Sequence, residues 1–152
     1  MKSYAVFPIA VLIICAVAFA SAVELPAQKP GVWETTMKRT GIPGGSRSLS
    51  MCIDAATQVE AKATMKKNCS KNEAHKEGNG WVNDSVCTVA GAHVISHSVV
   101  TPTNGDTAFR TEITTTYDPP MMGKTSSAMT IDSKWLGACQ PGQKPGVPMR
   151  GR

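Results

Sequence analysis

The sequence predicts a mainly β protein, a curved sheet or barrel-like meander of about seven antiparallel strands with one helix over residues 54–68 and two disulfides. Apolar and polar residues alternate along most of the chain after position 30, and turn signals separate these stretches at short intervals. Only one stretch has helical composition. Because parallel strands need crossover connections, usually helices, a single helix favours antiparallel pairing.

The first 22 residues have the pattern of a secretory signal peptide. Lys2 gives a positive start, residues 5–20 form an apolar run, and Ala20-Ser21-Ala22 is a cleavage site flanked by small residues. An uncleaved membrane anchor is the competing interpretation, because the run approaches the length that spans a bilayer. Pro8 and the small residues at the end of the run favour cleavage. We therefore expect a periplasmic or secreted protein.

The mature chain begins with a predicted hairpin followed by the helix. Residues 32–40 alternate, which places one set of side chains on a common face: Trp33, Thr35 and Met37. After a turn rich in Gly and Pro, residues 47–53 resume the alternation. Asp54 is a suitable N-cap for a helix over 54–68, whose apolar face is thin. We expect this helix to lie on the surface of the sheet.

The remaining strands are separated by short turns. Asn104-Gly105 predicts a two-residue hairpin loop, which would pair His97 with Glu112 and Val100 with Phe109. This register predicts a core face formed by Val94, Val100, Phe109, Ile113 and Tyr117. The opposite, solvent-facing side would then carry His93, His97, Arg110 and Glu112.

Four cysteines follow the predicted signal peptide: Cys52, Cys69, Cys87 and Cys139. None forms a Cys-x-x-Cys pair, so the spacing indicates neither a thioredoxin-like site nor a zinc knuckle. An oxidising compartment favours disulfides. A turn near residue 78 would place Cys69 opposite Cys87, and Cys52–Cys139 follows by elimination.

The chain carries 16 basic and 11 acidic residues, and removal of Lys2 leaves a mild positive charge on the mature protein. Residues 140–152 are rich in Pro and Gly and contain no acid, which predicts a disordered basic tail after a single domain over 23–139. Such a tail would be a solvated segment, and the more specific alternative is weak contact with an anionic surface. No basic stripe carries interleaved aromatic residues, so we expect no nucleic-acid partner.

The sequence predicts no enzyme, no cofactor, and no catalytic or metal-ligating residue. It contains no Gly-x-Ser-x-Gly, no phosphate-binding glycine loop and no His-Glu-x-x-His. His93 and His97 are four residues apart, which along a strand is about 13 Å and too far for one zinc ion. The scattered methionines are a further candidate for copper, although filling a core poor in aromatic residues is their commoner use.

Short motifs at both ends of the domain resemble a known family. They are Pro30-Gly31-Val32-Trp33-Glu34, Cys52-Ile53 before the helix, the spaced Cys69 and Cys87, and Trp135-Leu136-Gly137-Ala138-Cys139. About residues 29–139 are similar to DUF3617, an uncharacterised family of bacterial exported proteins. The resemblance implies a periplasmic or secreted protein, and it brings no activity and no site residues.

The leading hypothesis is a non-catalytic protein that binds a small apolar ligand or an envelope component in the concavity of the sheet. The candidate ligand-lining residues are Trp33, Met37, Trp81, Phe109 and Trp135. The competing interpretation is that these side chains only fill the core. The alternatives are an envelope interaction or structural protein without a small-molecule site, and a periplasmic copper or zinc binder. A hydrolase ranks last.

Overall fold

A computed structural model describes residues 24–150, and the predicted signal peptide lies outside the described residues. The elements are β1 (Gly31–Arg39), β2 (Ser46–Ile53), α1 (Ala55–Asn68), β3 (Cys69–Glu77), β4 (Gly80–Val89), β5 (Ala92–Pro102), β6 (Ala108–Met121), β7 (Lys124–Gly137) and β8 (Pro148–Arg150). The strands form one sheet in the order β3-β4-β5-β6-β7-β1-β2-β8. Every neighbouring pair is antiparallel, which confirms the predicted fold class.

The helix α1 begins where the sequence predicts. Oδ1 of Asp54 accepts a hydrogen bond from the backbone N–H of Thr57 at 2.7 Å and a second from the Thr57 hydroxyl. These two bonds lower the pKa of Asp54, because they stabilise its ionised form. Within residues 24–150, no helix has the length and apolar character needed to cross a bilayer.

The sheet is open and curls towards α1. The chain leaves β2 near one side of the sheet and enters β3 at the opposite edge, with α1 as the connection. Six strand spacings separate these strands, which would be about 29 Å on a flat sheet. The 14 residues of α1 span about 21 Å. Because the helix is shorter than the flat distance, the sheet curves around it.

The core lies on the face that α1 crosses, which we call the helix-side face. Trp33, Ile53 and Phe109 are buried and form its centre. The rings of Trp33 and Phe109 stack with their centroids 5.8 Å apart. Partly buried side chains pack around them: Met51, Val100 and Trp135. We expect so small a core to leave a large share of the stability to the covalent links.

Both predicted disulfides are present. Cys52 is bonded to Cys139, and Cys69 is bonded to Cys87. Most of the β3–β4 hairpin has the register in which Lys71 pairs with Val86. If that register continued to the end of the hairpin, Cys69 would lie one residue out of line with Cys87. A bulge between Cys69 and Lys71 shifts the register by one residue and brings the two cysteines opposite each other.

The predicted register of the β5–β6 hairpin is wrong by two residues. Val100 pairs with Thr111 instead of Phe109. The loop is longer than two residues because Asn104 closes a wider turn, in which its carbonyl accepts hydrogen bonds from the backbone N–H and hydroxyl of Thr107. A shift of two residues preserves the alternation of side chains. The predicted half-buried and exposed faces are therefore correct.

Residues 140–150, for which the sequence predicts a disordered tail, lie beside β2 in the structure. The disulfide of Cys139 holds the start of the tail beside β2, and the backbone N–H of Gly146 donates to the carbonyl of Cys52 at 2.9 Å. β8 then pairs with the free edge of β2. Pro148 begins this strand, a position where a missing N–H is tolerated. Pro and Gly disfavour burial in a core, but they do not prevent pairing at an edge.

Candidate functional site

The candidate site is the space between α1 and the helix-side face. A helix that covers a sheet normally buries an apolar stripe, but α1 has no buried residue. Small side chains such as Ala61 lie where the helix passes over the middle of the sheet. The floor below carries Val100 and Phe109. An incompletely filled space of this kind is where a ligand can bind.

Residues 24–30, which we call the N-terminal strap, run alongside α1. The backbone N–H of Gln28 donates to Oε1 of Gln58 at 3.0 Å, and Nε2 of Gln58 donates back to the Gln28 carbonyl at 3.0 Å. Nearer the strap's start, Lys62 donates to the carboxylate of Glu24 at 2.7 Å. This bond lowers the pKa of Glu24. The strap is thus attached to the helix at two points.

The apolar cleft, a space of about 280 Å³, lies between the strap, α1 and the strands β5, β6 and β7. Val100 and Phe109 line it on the sheet side, and Ala61 lines it on the helix side. Leu25 and Pro26 line it on the strap side. Its volume is close to the lower end of the range found for small-molecule sites.

A second space of about 570 Å³, which we call the Asn83 cleft, adjoins the apolar cleft, because Leu25 and Lys62 line both. Met65 lines it on the helix side, and Ala74 and Asn83 line it on the sheet side. Asn83 is 5% exposed. Within residues 24–150, its Oδ1 is buried and has no hydrogen-bond partner.

The structure places all five predicted ligand-lining residues on the helix-side face, but in different surroundings. Phe109 lines the apolar cleft. Trp33 is buried in the core, and Trp135 packs against that core. Trp81 and Met37 are half-buried on the same face, on strands on either side of the central strands. That these five residues contact a ligand stays a prediction.

Sequence reasoning missed three residues of the two clefts, Leu25, Ala61 and Asn83. Leu25 precedes the first strand and belongs to no alternating pattern. The thin apolar face of α1 is a signal for Ala61, because a helix without large apolar side chains leaves space beneath it. The signal for Asn83 is a residue of low β-propensity in the middle of a strand.

The two histidines considered as metal ligands lie on the outer face, opposite α1. His93 and His97 are exposed. Nδ1 of His97 lies 2.8 Å from Oδ1 of Asp84, so the predicted partner Glu112 is wrong. This contact lowers the pKa of Asp84. Across the described part of the chain, no group of three or more His, Cys, Asp or Glu side chains is arranged to hold a metal ion.

These features define a disulfide-bonded antiparallel β protein with a cleft between its helix and its sheet. Residues 28–139 match the model of a family described as "Protein of unknown function (DUF3617)", and the chain belongs to this family. The resemblance seen in the sequence motifs is thereby confirmed. No match is found among curated proteins or among solved structures.

Proposed function

We propose that this protein is a non-catalytic binding protein that takes a small apolar ligand, or the apolar part of an envelope component, into the apolar cleft. The observation that carries the proposal is the pairing of an apolar floor at Val100 and Phe109 with a helix that buries none of its own residues. The protein works after export, in the periplasm or outside the cell.

The fold leaves apolar surface of the cleft partly uncovered. Phe109 is buried, whereas Val100 is only half-buried beside it. A ligand that fills the cleft removes this surface from water, which is worth about 25 cal/mol for each Å² of apolar area. Leu25 and Ala61 would contact the ligand from the opposite side.

The chemistry of the chain supports export and a non-catalytic role. Two disulfides suit an oxidising compartment, and the pattern of the first 22 residues is that of an export signal. The sequence carries no motif for nucleophilic, phosphate-transfer or zinc-dependent catalysis. No cofactor is part of the proposal.

The test measures binding of an uncharged chain, decyl methyl ether, to the disulfide-bonded protein by native mass spectrometry and calorimetry. Ala61→Trp fills the cleft from the helix side, and because Ala61 is not packed against the core, the larger side chain does not displace a buried neighbour. Ala63→Trp places the same side chain on the same helix, away from the residues that line either cleft. We expect the wild type and Ala63→Trp to bind the ether, and Ala61→Trp to lose binding.

Other outcomes would favour the competing classes. No ether binding by the wild type, or equal binding by the two tryptophan variants, would reject the proposal and leave an envelope interaction protein without a small-molecule site. Stoichiometric copper or zinc in protein purified from its own host would support the metal-binding alternative, and elemental analysis of the same sample measures it.

A further inference from the structure

We infer that Asn83 forms a polar subsite beside the apolar cleft, and that the ligand is an amphiphile whose uncharged head donates a hydrogen bond. A hydroxyl or an amide N–H has this chemistry. The inference rests on the proposed function, to which it adds the class of ligand. The head would occupy the Asn83 cleft while the chain occupies the apolar cleft.

The side-chain oxygen of Asn83 has no hydrogen-bond partner within residues 24–150. Buried polar side-chain atoms are nearly always hydrogen-bonded, because burying an unpaired acceptor costs free energy. Oδ1 of Asn83 is buried with no partner among the residues that the structure describes. An acceptor in this state is satisfied by a donor from outside the chain.

The fold does not require an asparagine at position 83. Asn83 lies on β4, paired with Ala74 on β3 and with Ser98 on β5. An interior strand position with such neighbours suits a β-branched apolar residue, and asparagine is depleted in strands. A residue that is unfavourable for its secondary structure, and that adds no stabilising contact to the fold, is expected at a functional site.

The charged side chains around the Asn83 cleft balance each other. Lys62 and Lys66 line the Asn83 cleft together with Glu24 and Glu73, so basic and acidic side chains balance. Lys62 and Glu24 are already paired at 2.7 Å. This lining gives no net attraction for an ionised head, and an acceptor such as Oδ1 selects a donor.

The two clefts are continuous, and the head of a ligand can reach Asn83 from the apolar cleft. Leu25 and Lys62 line both clefts, so one molecule can extend from the first into the second. Because Oδ1 is shielded, the head reaches it only when the lining residues move apart. Leu25 lies between the two attachments of the strap, at Glu24 and at Gln28, and is the side chain placed to move.

The experiment compares two probes of equal chain length, 1-decanol and decyl methyl ether, which differ in the ability to donate a hydrogen bond. We expect the wild type to bind the alcohol about tenfold more tightly than the ether. Asn83→Leu should keep ether binding and lose this preference. It should also raise the Tm by about 2–4 °C, because an unpaired buried amide is removed.

Asn68→Leu is the matched control, since Asn68 is exposed at the end of α1 and lines neither cleft. This variant should retain the preference for the alcohol. Equal affinity of the wild type for the two probes would overturn the inference while cleft binding stands, and so would a preference that survives in Asn83→Leu. Failure of the wild type to bind the ether would instead reject the proposed function. The comparison of probes on the wild type does not depend on the folding of any variant.

Discussion

Gln28 and Gln58 form two hydrogen bonds with each other. The side chain of Gln58 on α1 accepts from the backbone N–H of Gln28 and donates to its carbonyl, as the backbone of a neighbouring strand would. Both bonds measure 3.0 Å and join residues 30 positions apart. They satisfy the N–H and the carbonyl of a segment that belongs to no sheet. One side chain of α1 therefore holds the strap at Gln28, and the bond from Lys62 to Glu24 is its second attachment to the helix.

Replacement of Gln58 should loosen the strap at Gln28. Gln58→Ala removes both hydrogen bonds, so we expect a loss of about 1–2 kcal/mol in the free energy of unfolding. The backbone N–H of Gln28 should exchange faster with solvent, because its acceptor is gone. Urea denaturation and amide exchange by NMR measure the two effects. Glu60→Ala, an exposed change on the same helix, is the control, and unchanged exchange at Gln28 would contradict this account.

Gly31 should tolerate no side chain. Its φ is +142°, and a Cβ there would collide with Nε1 of Trp135 and with the carbonyl oxygen of Gly137. Gly78 also has a positive φ, +58°, but no atom lies within 4 Å of an added Cβ. We expect Gly31→Ala to destabilise the protein by more than about 3 kcal/mol and Gly78→Ala by about 1–2 kcal/mol. Thermal unfolding compares them, and equal losses would refute the steric explanation.

The alternation of side chains predicts which face of each strand is buried, but it does not predict register. Val94, Phe109 and Tyr117 lie on the expected face, although the β5–β6 pairing is shifted by two residues. Register depends on loop geometry. The sequence Asn104-Gly105 predicts a two-residue loop, but Asn104 closes a wider turn. Face and register are therefore separate problems, because the first has a period of two residues and the second is set by one loop.

The placement of residues 140–150 depends on a distant partner. Neither the disulfide to Cys52 nor the free edge of β2 is visible in the segment's own residues. The same reason explains the clefts. Ala61, Asn83 and Leu25 come together only because α1 crosses the sheet and the strap runs alongside it. Local patterns gave the apolar floor at Phe109, whereas the rest of the site depends on tertiary contacts.

The two disulfides should differ in their contribution to stability. Cys52 and Cys139 are 87 positions apart, and Cys69 and Cys87 are 18 apart. In the chain-entropy model, loops of these lengths contribute about 4.6 and about 3.2 kcal/mol. We expect the double alanine variant of the first pair to lose more stability in urea denaturation. It should also lose the protection of the Gly146 amide, which donates to the carbonyl of Cys52, because the segment after residue 139 is no longer held beside β2. A larger loss from the second pair would contradict this order.

Asp132 on the outer face should make stability depend on pH. Nε of Arg110 donates to Oδ1 of Asp132 at 2.8 Å, and Lys38 lies 3.5 Å from Oδ2. The hydrogen bond from Arg110 is the main cause of the lowered pKa of Asp132. Since the folded pKa lies below the unfolded value, the stabilisation is complete above that unfolded value and is lost as pH falls through the folded pKa.

Arg110→Met should therefore raise the pKa of Asp132 towards 3.8, its ordinary value. Carboxyl NMR titration measures this change directly. The stability difference between the wild type and the variant should be present at pH 6 and should shrink as the solution is acidified below about pH 4. It should also be small and sensitive to salt, because both side chains are substantially exposed. Arg47→Met removes an exposed positive charge that makes no ion pair among residues 24–150, so it should leave the pKa of Asp132 unchanged. Equal pKa shifts in the two variants would show that net charge, and not the bond from Arg110, sets the ionisation of Asp132.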